Sequence, residues 1–186
     1  TMTPRVLATL AASAFLAMTA TPAFTPIPAA PPVAPPNSKP HGRSYAEWSA
    51  AWWTWNMEHP LFGHPALDDG NFLVTSGQSG KVWFLASPLD FGTAVPRTRE
   101  VSVPGGRALF VGLLNAEMSS QEGVPDEADQ RAISSFLADH IVDPACTIDG
   151  VAVDDIQDFR FSSPQFSFTA PDPWIFGPSG AGEDGT

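Results

Sequence analysis

The chain has 186 residues, which suits a single domain of ordinary size. Its 20 acidic and 9 basic residues give a formal net charge of -11, which argues against a nucleic-acid partner because phosphate binding needs clustered lysine and arginine. The only cysteine is Cys146, so an internal disulfide is excluded and packing must supply the stability.

The amino-terminal segment has the composition of a secretory signal peptide. Arg5 provides a positive charge, the apolar run at 6–18 is too short to span a bilayer, and small residues follow at Ala20 and Ala23. We therefore predict that residues 1–23 direct export. The mature protein is expected to be secreted or periplasmic, without a transmembrane anchor.

A linker follows this segment. Residues 24–40 are rich in proline and alanine, which disfavours helices and sheet ladders and favours an extended tether. The folded domain is predicted at residues 41–177. Residues 178–186 are rich in glycine and polar side chains and are predicted to form a flexible tail.

Two segments predict helices. Ser44 and Glu47 form a capping-box pattern, and a helix is expected at 45–58 with an aromatic stripe on one face. A second helix is expected at 125–141, where acidic residues precede apolar ones of helical spacing. The aromatic stripe usually packs on a sheet. In the alternative, an exposed aromatic platform binds polysaccharide through Trp48, Trp52 and Trp55.

The remaining pattern is typical of strands and turns. Two hairpins are predicted, one at 99–115 around the turn at 104–106 and one at 147–153 around Asp149-Gly150. Further strands are predicted at 72–75, 81–86 and 160–169. The expected fold is therefore mainly β, a two-sheet β-sandwich of jelly-roll or Ig-like type with two peripheral helices.

Several segments follow one another in a specific order: GRSYAEWSAAWWTW at 42–55, GQSGKVWFLA at 77–86, VPGGRALF at 103–110, TIDGVAV at 147–153 and SPQFSFT at 163–169. In this order they resemble a group of uncharacterised bacterial exported proteins. The resemblance covers nearly all of the mature chain and implies a small secreted β-rich domain, with no established activity. Such proteins continue beyond the position of Gly177 with further strands, so the resemblance also implies a C-terminally truncated sandwich.

Ser79 is a weak candidate nucleophile. The segment Gly77-Gln78-Ser79-Gly80 contains the first glycine and the serine of a nucleophile elbow, but the second glycine is misplaced. A strand rather than a helix is expected to follow. The pattern therefore favours an ordinary turn at this serine.

Other side chains could bind a metal ion. His64 and Asp68 lie close in sequence, and Asn115 and Glu117 lie two residues apart at the end of a predicted strand. Imidazole and carboxylate groups together can bind Zn²⁺, and additional oxygen ligands would suit Ca²⁺. The predicted metal ligands are His64, Asp68 and Glu117, and Glu117 is also a weak catalytic candidate.

Two functions are compatible with these patterns. The first is a secreted binding or structural module that acts at the cell envelope or on extracellular carbohydrate. The alternative is a secreted metal-dependent hydrolase of an ester or lactone, in which the metal activates water. The sequence favours the binding module because it requires fewer coincidences of geometry.

Overall fold

The computed structural model describes residues 33–67, 75–89, 98–177 and 184–185. The predicted signal peptide, residues 72–74 of the predicted strand at 72–75 and most of the predicted tail lie outside the described residues. The elements in chain order are α1 (Tyr45–Met57), β1 (Val82–Leu85), β2 (Ala108–Val111), α2 (Glu127–Asp139), β3 (Thr147–Ile148), β4 (Val151–Ala152), β5 (Phe168–Thr169) and β6 (Asp184–Gly185).

Both predicted helices are confirmed, and their first turns show why they form. The Ser44 hydroxyl accepts from the Glu47 N–H at 3.3 Å, and the Glu47 carboxylate accepts from the Ser44 N–H at 2.7 Å. This capping box satisfies backbone donors that the first turn of α1 leaves without partners. At α2 the carboxylate of Asp126 plays the same part by accepting from the N–H of Ala128 at 2.8 Å.

Helix α1 is fixed to β1 and its neighbouring turn by two buried tryptophans. The indole N–H of Trp52 donates to the Leu85 carbonyl at 3.0 Å, and that of Trp55 donates to the Ser76 carbonyl at 3.0 Å. Both rings are buried. The apolar rings thus gain burial while their polar atoms remain hydrogen-bonded.

The main core lies at the carboxyl end of α1. Met57 is fully buried there, and the Phe168 ring stacks on Trp174 with centroids 5.6 Å apart. These side chains belong to one buried cluster with Ala66, Ala170 and Ile175. Residues near the carboxyl end of the predicted domain therefore close over the end of α1.

The prediction of a β-sandwich is wrong. In the described ranges the strands form three separate sheets of two strands each: β1 with β2, β3 with β4, and β5 with β6. Two-stranded pieces cannot provide two facing sheets with a core between them. The tight hairpin of β3 and β4 is confirmed, with Asp149 and Gly150 at φ of 52° and 80° in its turn.

The predicted hairpin at 99–115 is also wrong. Strand β2 pairs in parallel with β1, with Val82 opposite Ala108, and residues 99–103 form no strand. Both strands are short apolar runs, and such a run does not specify which strand it will pair with. Neither helix in the described ranges is long and apolar enough to cross a bilayer.

Candidate functional site

A groove of about 1090 Å³ runs along β2 and the residues that follow it. Residues 108–119 contribute one continuous part of its lining. Other parts come from α1, from α2 and from residues 156–166. A space of this size is within the range, at its upper end, of pockets that bind small molecules or extended ligands.

Strand β2 presents apolar side chains on its exposed face. Leu109 is 53% exposed and Val111 is 44% exposed. The alternate residue Phe110 is directed to the other face, with its ring centroid 6.1 Å from that of Phe84. This alternation follows from the two-residue period of a strand. Leu113 and Leu114 extend the exposed apolar row beyond the strand.

The backbone of β2 is paired along one edge. The Ala108 N–H donates to the Lys81 carbonyl at 3.0 Å, which sets the register of the parallel ladder with β1. In such a ladder alternate residues of a strand bond to the same neighbour. The peptide groups of Leu109 and Val111 therefore point away from β1, and no third strand pairs with them among the described residues.

The groove also carries arginine side chains, in a chain whose net charge is -11. Arg131 is paired with Glu127 at 2.7 Å, and Arg160 is paired with Asp139 at 2.7 Å. Arg107, directly before β2, forms no ion pair within the described ranges. The beginning of β2 consequently has a positive charge that no carboxylate of the described residues neutralises.

Farther along the same lining lies Glu117, whose carboxyl group is paired with that of Glu122, a residue that lines the adjoining smaller cavity. Burial raises the pKa of Glu117 to about 9, and the negative charge of Glu122 and a hydrogen bond between the two side chains act in the same direction. Glu122 is held by Ser119, whose N–H and hydroxyl donate to Glu122 Oε2 at 3.0 Å and 3.1 Å. Glu117 is thus protonated at neutral pH.

Glu117 lies where the groove meets a smaller cavity of about 290 Å³, since it lines both. Its Oε1 atom is buried and has no hydrogen-bond partner within the described ranges. The cavity lining is otherwise mainly apolar, with Trp53, Leu89, Leu137, Ile141 and Phe176. A proton donor is therefore placed beside a mainly apolar cavity.

His64 is occupied by backbone contacts. Its Nε2 donates to the Asn56 carbonyl at 2.9 Å, and its Nδ1 accepts from the Ala66 N–H at 3.0 Å. The side chain is fully buried, and burial lowers the pKa of His64 to about 4. Both ring nitrogens thus serve to hold the chain after α1, and neither has a lone pair free for a metal.

The predicted metal ligands are not brought together by the contacts of the described residues. Glu117 contacts Ser119 and Glu122, whereas His64 contacts Asn56 and Ala66. Asp68 lies outside the described residues. Over the described ranges no group of three or more His, Cys, Asp or Glu side chains is arranged to hold a metal ion.

The three tryptophans of the predicted sugar platform occupy different environments. Trp52 and Trp55 are buried and offer no face for stacking on a sugar. Trp48 is half-buried and lines the groove, its N–H donates to the Pro40 carbonyl at 2.8 Å, and the Arg43 guanidinium lies 5.0 Å from its ring centroid. Only Trp48 contributes to the groove.

Ser79 is exposed in the turn before β1 and lines neither the groove nor the cavity. Sequence reasoning missed Ser119 and Glu122. A usable signal was present, because Ser119 to Glu122 repeats the Ser-x-x-Glu spacing that marks the start of α1 and forms a capping box here too. The carboxyl pair itself depends on the chain bringing Glu117 beside that turn.

No protein-family model matches this chain, and comparisons with curated proteins and with solved structures find no match.

Proposed function

We propose that the mature protein is an exported binding domain whose groove takes an elongated, apolar ligand at the cell envelope. The observation that carries the proposal is the row of exposed apolar side chains at Leu109, Val111, Leu113 and Leu114 along one part of the groove. Contiguous apolar surface of this kind commonly marks an interaction site. Because these side chains are already about half buried, covering each one with a ligand contributes about 1 kcal/mol before the costs of association.

Carbohydrate is less well supported as the ligand. Sugars stack on exposed aromatic faces and hydrogen-bond to polar groups around them. Trp52 and Trp55 are buried, and aliphatic side chains supply the exposed row along β2. The lining chemistry therefore matches an apolar ligand better than a polysaccharide.

The proposal is tested with the fluorescent apolar probe anilinonaphthalene sulfonate. The double variant Leu109→Gln/Val111→Thr makes the exposed face of β2 polar, and we expect it to weaken probe binding by about tenfold or more. Phe62→Gln is the matched control, because Phe62 is 78% exposed but does not line the groove. Equal probe affinity in all three proteins would count against the groove. A change in tryptophan fluorescence with a glycan panel, without probe binding, would favour carbohydrate.

A second candidate is a hydrolase that uses Glu117 and Glu122 as acid and base. The specific observation is that a protonated carboxyl and a carboxylate share a hydrogen bond at the edge of a cavity. Such a pair can divide two roles. Glu122 would take a proton from water as the water oxygen bonds to the ester carbonyl carbon, and Glu117 would give its proton to the departing alkoxide.

Hydrolysis of nitrophenyl esters tests this candidate. Glu117→Gln removes the transferable proton while preserving shape, and we expect it to reduce turnover by about 10²-fold or more. Turnover by the native protein should fall as the pH rises through about 9, where Glu117 loses its proton. Ser79→Ala is the control for the serine-nucleophile alternative. Turnover that depends on Ser79 and not on Glu117 would reject the carboxyl mechanism.

A further inference from the structure

We infer that the occupant of the groove is an extended polypeptide that adds a strand to the open edge of β2. This inference rests on the proposed function, which it deepens by naming the chemical class of the partner. It depends on three features of β2: the backbone edge that faces away from β1 and pairs with no strand of the described residues, its exposed side chains and the charge at its beginning.

The backbone of β2 offers donors and acceptors at regular spacing. Because Ala108 bonds to Lys81 of the neighbouring chain segment, the N–H and C=O groups of Leu109 and Val111 face the opposite edge. Residues 160–166 line the same groove and form no strand. Within the described part of the chain this edge is therefore open to another strand.

The edge of β2 combines polar backbone groups with apolar side chains, and this combination favours a peptide over an acyl chain as the ligand. An acyl chain would cover Leu109 and Val111 but would leave their peptide groups without hydrogen-bond partners in a dry environment. An extended peptide satisfies the peptide groups and places alternate side chains against the apolar row. Only the polypeptide uses both features of the edge.

The charge of the groove adds a preference for an acidic residue in the partner. Arg107 immediately precedes β2 and forms no ion pair within the described ranges, although the chain as a whole is strongly acidic. A carboxylate near one end of the added strand would pair with this guanidinium. The inferred partner is thus an extended peptide with alternating apolar residues and an acidic residue at the end near Arg107.

The test compares three synthetic peptides of identical side chains. Each has about six residues, the usual length of a strand, with valine at alternate positions and glutamate at both ends. The first is unmethylated, and each of the other two has methyl groups on the backbone nitrogens along one edge of the strand. Affinity is measured by isothermal titration with the full chain, beside binding of anilinonaphthalene sulfonate.

We expect the unmethylated peptide to bind about tenfold or more tightly than the version methylated on the pairing edge. Equal binding of all peptides would overturn strand addition while leaving an apolar groove intact. Binding of the dye but of no peptide would overturn it as well. If neither dye nor peptide binds, the proposed function fails together with the inference.

Variants of the protein give a second readout. Val111→Pro removes an outward N–H from the open edge, whereas Val111→Ala keeps that N–H and shortens the side chain. We expect the proline variant to lose peptide binding and the alanine variant to keep most of it. Circular dichroism tests whether each variant is folded. If the proline variant does not fold, the methylated peptides decide the outcome, and undiminished binding by a folded proline variant would refute the pairing.

A dimer formed through the same edge is the competing occupant. Sedimentation of the native chain alone, and again with the unmethylated peptide, distinguishes the two cases. The inference predicts that the protein gains only the mass of the bound peptide and that its state of association is unchanged. If a dimer dissociates into peptide-bound monomers, the edge of β2 pairs with a second copy of the chain, and the inference of a foreign peptide partner is wrong.

Discussion

The indole N–H of Trp174 donates to the backbone carbonyl of Met57 at 3.1 Å, between residues 117 positions apart. Met57 is the last residue of α1, where backbone carbonyls have no partner within the helix. The Trp174 ring also packs in the core with Phe168. One side chain thus both caps a helix end and closes the core.

Replacing Trp174 by phenylalanine should show the weight of this contact. Trp174→Phe keeps an aromatic ring but leaves the buried Met57 carbonyl without its donor, so we expect the free energy of unfolding to fall by about 1–3 kcal/mol or more. Urea denaturation followed by circular dichroism measures the change. Trp48→Phe is the comparison, because Trp48 is only half-buried and water can replace its donor to Pro40. Similar losses in both variants would contradict the role assigned to Trp174.

Gly112 should not tolerate a side chain. A Cβ atom at this position would lie 2.8 Å from Cζ2 of Trp52 and 2.7 Å from Nδ2 of Asn115. Gly112→Ala is therefore expected to destabilise the fold by about 1–3 kcal/mol, as overpacking does elsewhere. Gly105→Ala is the matched control, since nothing lies within 4 Å of its added Cβ. Thermal unfolding of the two variants should differ clearly, and equal melting temperatures would show that Trp52 yields at little cost.

His64 should make stability sensitive to acid. Its pKa is about 4 in the fold and 6.5 without burial, so between these values the unfolded chain binds a proton that the folded chain does not. The free energy of unfolding therefore decreases as the pH falls from about 6.5 to 4, by up to about 1.4 kcal/mol per pH unit. Urea titrations at several pH values measure the slope, with exposed His140→Gln as control. If a His64→Gln variant retains the full slope of unfolding free energy against pH, His64 is not the cause of that slope.

Glu117 should act in the opposite pH direction. Its pKa is about 9 in the fold and 4.5 without burial, so between these values the folded chain holds a proton that the unfolded chain releases. This group alone lowers the free energy of unfolding as pH rises, by up to about 1.4 kcal/mol per unit. Glu117→Gln should flatten that decline and be the more stable protein at pH 8. The control Glu100→Gln, at an exposed position, should leave the decline in the free energy of unfolding unchanged. The same decline in Glu117→Gln as in the native protein would be inconsistent with a buried neutral carboxyl at Glu117.

Local signals predicted the helices and one hairpin. The capping residues Ser44 and Asp126 and the Asp149-Gly150 turn act within a few residues, so the sequence contains the whole interaction. The sheet partners did not follow from such signals. Strand β2 pairs with β1 rather than with residues 99–103. Helix α1 contacts both strands, through Trp48 on Phe84 and Tyr45 on Phe110, and such tertiary contacts are not encoded in the local pattern.

The candidate site was only partly predictable for the same reason. Glu117 was singled out from its position after a strand, but its partner Glu122 is defined by a turn that the surrounding fold brings beside it. His64 was singled out by its residue type and its closeness in sequence to Asp68. Its ring nitrogens are bonded to the backbone at Asn56 and Ala66, a use of histidine that no spacing pattern distinguishes from metal binding.

The distance in sequence between Met57 and Trp174 bears on how the chain is made. During synthesis the segment of α1 leaves the ribosome long before the residues that cover its carboxyl end exist. Contacts of such separation are also slow to form, because a long loop must close before they repay its entropy. The carboxyl end of α1 thus remains uncovered for most of translation, a state in which a chaperone can hold it.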